Sequence, residues 1–266
     1  MTSHPAEHGW LWLKQGLQLF RRNPGEMVAL SLLYATVFTL LAALPLLGPF
    51  TALLLPTGVL VMMHACRQIA KNESVWSISM LQYFTPRALR PQVQLGIFFV
   101  MAVGLASMAA YGIFVVIGDE QSWQILSGQI NAPKVQIDPV NMLAASTGAA
   151  LVILPFLMAL CFAPPLVSWR GMPLSKAIFY SFAAIWQSSR AFIIYGIGLI
   201  ALFFTGIFFS ALISFPLVLL FSHPVLIGLA ISLLMQLAML SIFFCTLYCT
   251  YEHVFAAEKL ENLAAQ

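Results

Sequence analysis

Charge is what this sequence has least of. Only 8% of its 266 residues are Asp, Glu, Lys or Arg, whereas a soluble domain carries about 25%. Apolar residues make up 61%, and the mean hydropathy is +0.92. A chain this poor in polar groups cannot cover itself for water, so its solvent is lipid. The net charge of +3 is small, and no basic cluster alternates with aromatics, which excludes nucleic acid as a partner. The four cysteines, Cys66, Cys161, Cys245 and Cys249, fall in or beside apolar stretches. They imply no disulfide framework. No cleavable signal peptide is expected; the first long apolar run, from Met27, reads as an uncleaved anchor.

Chemistry is also missing. No Asp, Glu, Lys or Arg lies deep in any apolar run, and ion- or proton-coupled pumps need such groups for their relays. No phosphate-binding loop, nucleophile elbow, HExxH helix or paired-carboxylate arrangement is present. The signature of mitochondrial carriers is absent as well. No enzyme activity and no cofactor is expected.

What is present is a succession of charge-free runs. Met27 to Cys66 is too long for one membrane helix, which needs about 20 residues. Pro45, Gly48 and Pro49 break it, predicting helices over about 26–46 and 49–66. The second, with Pro56 inside, either crosses the membrane or enters it as a re-entrant segment. Further helices are predicted over about 92–118, 140–169, 191–215 and 225–251, the last two turned at Phe215-Pro216 and His223-Pro224. The total is six, within one membrane domain spanning residues 1–266.

With six spans both termini share a side. Eleven of the twelve basic residues fall on that side and only Lys134 on the other. The positive-inside rule then makes the termini cytoplasmic and 119–141 the one sizeable external loop. All six tryptophans lie outside or at the edge of the spans, where an amphipathic ring prefers the headgroup level.

A short amphipathic segment precedes each helix pair. The first is about 8–22, with Trp10, Leu13, Leu17 and Phe20 on one face; the second about 75–84; the third about 173–189, with Leu174, Ile178, Phe182 and Ile185 aligned. After the first comes Asn23-Pro24-Gly25-Glu26, a helix start in which Asn23 caps and the Glu26 carboxylate bonds back to the cap. The expected fold is an all-α membrane protein: three parallel hairpins, each behind a cytoplasmic interfacial helix. Ala102, Ala106 and Ala110, and Gly198, Gly206, Ser210 and Ser214, form small-residue rows for close helix packing.

The opening from Gly9-Trp10 and Trp12 through Gly16 to Phe20-Arg-Arg-Asn23-Pro24 resembles the start of an uncharacterised family of proteobacterial multi-pass inner-membrane proteins. Phe162-Ala-Pro-Pro165, continuing to Ser181-Phe182, and Tyr248-Cys-Thr-Tyr251 through Phe255 carry the same resemblance. More distantly, the chain is similar to the membrane domains attached to some glycerophosphodiesterases, without their catalytic part. The resemblance implies a bacterial inner-membrane location and supplies no functional residues.

Few residues qualify as a site. Met62, Met63, His64 and Cys66 are soft ligands, but neighbours on a helix point apart, so one metal cannot collect them. Cys245 and Cys249 share a helix face without a second ligand pair for zinc. No metal site is expected. Gln236, the most polar residue deep in a span, is a candidate for a substrate or a helix–helix polar contact. Arg67, Arg170 and Arg190 are candidates for lipid phosphates; topology and snorkelling, which need no ligand, are the favoured account of them.

The leading expectation is a non-catalytic structural or accessory component that contacts membrane lipids and packs against a membrane-protein partner or its own copies. The alternatives are a passive or lipid-like-substrate transporter, from the helices interrupted at Pro155, Pro164, Pro165 and Pro216, and an intramembrane lipid enzyme. A topology reporter inserted at Ala132 should signal an external position, and one at Ser74 or after Gln266 a cytoplasmic one. Reversed signals overturn the orientation.

Overall fold

The computed structural model describes residues 5–45, 48–76, 82–117, 139–220 and 224–264. These are almost wholly helical, with no strand among them. In chain order the helices are α1 (Glu7–Arg22), α2 (Pro24–Ala43), α3 (Thr51–Ala70), α4 (Pro86–Ile117), α5 (Pro139–Cys161), α6 (Ala163–Arg170), α7 (Leu174–Gln187), α8 (Ser189–Leu220) and α9 (Pro224–Ala264). Six stretches are long and apolar enough to cross a membrane: Pro24–Ala43, Thr51–Ala70, Pro86–Ile113, Ser146–Arg170, Ser189–Leu217 and Gly228–Phe255. Lys134, Trp123 and most of the expected external loop lie outside the described residues, as do 77–81 of the second amphipathic segment.

α3 is the central helix. Of its apolar window 61% is buried, against 33% or less in the other spans. It packs against α2, α4, α6 and α9. Protein rather than lipid surrounds it, which explains why the least hydropathic span can carry Thr57, His64 and Gln68 in its buried face. It runs four residues past the expected end, so Arg67 stands inside the helix.

Glycine decides how α1 sits. α1 packs against α8 and α9. A Cβ at Gly9 would lie 2.2 Å from the Ala191 carbonyl oxygen, and one at Gly16 would lie 2.4 Å from the Thr246 Cα. The helices touch backbone to backbone there. The face packed on the protein is another than the apolar one expected at the membrane surface: Gly9, Trp12, Leu13, Gly16 and Leu19 are buried, and Trp10 is 66% exposed. Hydrophobicity alone favoured the Trp10 face, whereas close approach selects the glycine face. Trp12 fills the gap beside them against Phe192 and Tyr195.

α2 starts as its sequence suggests, with the Asn23 side chain accepting the Glu26 N–H at 3.4 Å. The Glu26 carboxylate does not turn back to the cap. It accepts the Val75 N–H at 2.9 Å and ties the start of α2 to the segment after α3. Two other expectations are corrected. α8 does not turn at Phe215-Pro216 but continues to Leu220, because a proline inside a membrane helix removes only one ladder bond. The fourth span is not one helix; it breaks at Phe162 between α5 and α6.

That break is filled. An unbroken helix would bond the Phe162 N–H to the Met158 carbonyl four residues back. Instead the Ser181 hydroxyl of α7 accepts the Phe162 N–H at 3.0 Å and donates to the Met158 oxygen at 2.7 Å. Pro164 and Pro165 follow at once and can donate nothing. Gln92 of α4 donates to the Pro164 carbonyl at 3.3 Å and to Ser168 Oγ at 2.8 Å. α6 then ends at Gly171, whose φ of 62° is the left-handed conformation that glycine adopts without a Cβ penalty. Ser181→Ala should leave two buried backbone groups unpaired and cost about 1–3 kcal/mol, read as a lower unfolding midpoint in detergent. Ser181→Thr should recover most of it.

Candidate functional site

The ends of α3, α6 and α9 meet in a cluster of aromatic and basic side chains. It begins with the His64 ring of α3, whose Nδ1 lies 3.0 Å from the Tyr83 hydroxyl. The Trp169 indole N–H donates to the same hydroxyl at 2.9 Å. Tyr83 is 5% exposed, and burial raises its phenol above the usual value, while the Trp169 bond and the Arg67 charge pull the other way. It stays a neutral hydroxyl that joins two helices.

Arg67 lies one turn beyond His64 and places its guanidinium 5.1 Å from the centre of the Trp169 ring. The Tyr251 ring meets Trp169 edge-on at 5.2 Å. Next along α6, Arg170 covers the Phe255 ring at 5.4 Å and donates to the Phe255 carbonyl. Cation–π contacts of this kind are strongest where water is thin, as at a helix end near the membrane surface. The structure thus brings Arg67 and Arg170 together and occupies both with the protein's own aromatics. Arg190, at the start of α8, is exposed and stands apart from them.

Beside this cluster, Gln15, Gln18 and Arg22 of α1 face Tyr248, Glu252 and His253 of α9 across a polar cleft of about 560 Å³. Asn23, Glu26, Asn72, Glu73 and Ser74 line a smaller one of about 290 Å³ with Arg22. Both lie at the end of the bundle that carries the arginines. Cys249 lines the larger cleft beside Glu252 and His253. Among the described residues no three His, Cys, Asp or Glu side chains converge as metal ligands.

Gln236 is not brought to a helix interface. It is exposed on α9, because the inward face there passes through Leu237 and Ser241. Ser241 makes the polar contact expected of Gln236: its hydroxyl lies 2.7 Å from that of Ser31 and reaches the Met27 carbonyl at 3.2 Å, joining α9 to α2. Tyr195 and Thr246 pair at 2.9 Å between α8 and α9. His64 and Cys66 point to different partners, Cys66 Sγ lying 3.6 Å from Cys245 Sγ. Sequence reasoning passed over Tyr83, Gln92, Ser31 and Ser241. Tyr83 sits in the second amphipathic segment and Gln92 at the start of a predicted span, and a serine in a membrane helix ordinarily satisfies itself on its own turn.

No protein-family model matches the chain, and no solved structure matches it. It is similar to a probable inner membrane protein of Burkholderia thailandensis, with 29% identity over 261 residues, 96% of this chain and 93% of that protein. With six helices of membrane-spanning length and apolarity, this makes the chain a multi-pass inner-membrane protein.

Replacing Tyr83 by Phe removes the shared hydroxyl and leaves the Trp169 indole without its acceptor. The expected loss is about 1–3 kcal/mol in unfolding free energy. A double-mutant cycle of Tyr83→Phe with His64→Ala should give a coupling energy well above zero.

Proposed function

We propose that this protein is a non-enzymatic component of the bacterial inner membrane, anchored by one end of its bundle to lipid headgroups on the cytoplasmic side. The observation that carries this reading is the company the basic residues keep. Trp10, Trp76 and Trp186 are each more than half exposed, and Arg22 and Arg190 are exposed as well. Outward-facing indole rings and guanidinium groups are what a headgroup layer attracts. Both termini then lie in the cytoplasm, in keeping with the eleven-to-one division of Lys and Arg.

In this reading the bundle is three parallel hairpins, α2 with α3, α4 with α5, and α8 with α9, and each pair is packed together. α1, the 75–84 segment and α7 are their interfacial helices. The sequence motifs from Gly9 to Pro24, Phe162 to Phe182 and Tyr248 to Phe255 favour the uncharacterised proteobacterial family, and more remotely the membrane domains of glycerophosphodiesterases. A non-catalytic role agrees with buried polar groups that are spent on one another: Ser31 on Ser241, Tyr195 on Thr246, Tyr83 on His64 and Trp169. A membrane-protein partner or a second copy of the chain fits the broad apolar flanks of α8, where Phe203, Phe204, Phe208 and Phe215 are all exposed.

The arginines separate the roles. Arg190 is the one of the three candidates that neither a ring nor a carbonyl of the described residues engages, so it is assigned to lipid phosphate. Arg190→Gln should lower phosphatidylglycerol retained on the purified protein by several-fold with an unchanged melting temperature. Arg170→Gln should do the reverse, lowering the melting temperature with little change in bound lipid. Equal lipid retention in wild type and Arg190→Gln, measured by native mass spectrometry, would reject the headgroup role.

A further inference from the structure

α2 and α3 part along their length to leave a groove of about 440 Å³. Leu30 and Leu41 mark its two ends on α2, roughly 16 Å apart at 1.5 Å per residue. That is close to the depth of one leaflet of hydrocarbon, about half of a ~30 Å core. No Asp, Glu, Lys, Arg or His lines it. At one mouth stand Trp76 and Phe84, both more than half exposed.

The walls are not uniform hydrocarbon. Gly58 carries no side chain where a Cβ would lie 2.5 Å from the Tyr34 ring and 3.0 Å from the Phe38 ring. Its absence lets both rings settle against α3. The adjacent Thr57 also lines the groove and is 2% exposed, and its hydroxyl has no hydrogen-bond partner among the described residues. That is unusual for a threonine in a helix, which normally bonds the carbonyl one turn back, as Thr205 and Thr250 do here at 2.7 and 2.8 Å. A buried hydroxyl left unpaired on a residue that lines an apolar groove calls for a partner from outside the chain.

We propose that the groove binds one uncharged lipid, its hydrocarbon along α2 and α3, its carbonyl or hydroxyl oxygen on Thr57, and its body against Tyr34 and Phe38. A phosphate inside the groove would find no cation and lose its water, which excludes a charged headgroup at that depth. This goes beyond the headgroup role of Arg190 and does not depend on which end of the bundle is cytoplasmic.

The test uses the full chain in vesicles of phosphatidylethanolamine and phosphatidylglycerol, doped with a diacylglycerol bearing a photoreactive diazirine in its acyl chain. Illumination and peptide mapping should place the label on α2 and α3, within 30–41 and 54–62. Unlabelled diacylglycerol should compete it away. Thr57→Val, which removes only the hydroxyl function, should lower labelling about fivefold, the effect of one lost hydrogen bond. Gly58→Phe should abolish it by filling the groove. If Gly58→Phe fails to fold, Thr57→Val still decides, since its packing is nearly that of the native residue. Equal labelling of wild type and Thr57→Val overturns the proposal. So does a phosphatidylglycerol diazirine analogue that labels the same peptides as strongly as the diacylglycerol, because the groove would then be an ordinary lipid crevice.

Discussion

A membrane offers no water to an unpaired backbone group, so every interruption of a helix must be repaired from within the protein. The break at Phe162 is where this constraint bears hardest. Ser181 carries the hydrogen bond across the gap, and Gln92 takes the carbonyl that follows. α6 follows the repaired turn directly and carries Trp169 against Arg67 and Arg170 against Phe255. The aromatic and basic cluster at the bundle end thus stands on the short helix that begins where Ser181 closes the break.

The rest of the packing follows from small residues. In lipid there is no hydrophobic drive to bring helices together, so contact area and cross-helix hydrogen bonds decide. Gly9 and Gly16 admit α8 and α9 to the backbone of α1, and Gly206 admits Met239. Ser31 and Ser241 tie α2 to α9 at a distance of 2.7 Å. α3, held on several sides, is free to carry the polar residues that a lipid-facing span could not.

Sequence legibility divides along these physical lines. The six spans were legible because the cost of burying charge in hydrocarbon leaves long charge-free runs. The cap at Asn23 was legible because it is local. The rotation of α1 was not, since Trp10 and Trp12 look equally apolar until the glycine face is known to meet another backbone. The Glu26 bond to Val75 spans 49 positions, and nothing local distinguishes it from a capping box. The outward direction of Gln236 was not legible because depth in a span says nothing of direction; one position further, Leu237 is 6% exposed and faces inward. At the candidate site Arg67 and Arg170 stand out in the sequence as basic residues at span ends, but the contacts they make, Arg67 on Trp169 and Arg170 on Phe255, join helices distant in the chain.

The seating of α1 between α8 and α9 also dictates an order of birth. Synthesis runs from the N-terminus, so α1 leaves the ribosome long before the backbone that Gly16 touches, at Thr246. Until then α1 can close on α8 at Gly9 but not on α9 at Gly16. Completion of the final helix supplies the second contact, so a chain cut short before α9 leaves its own beginning half fastened.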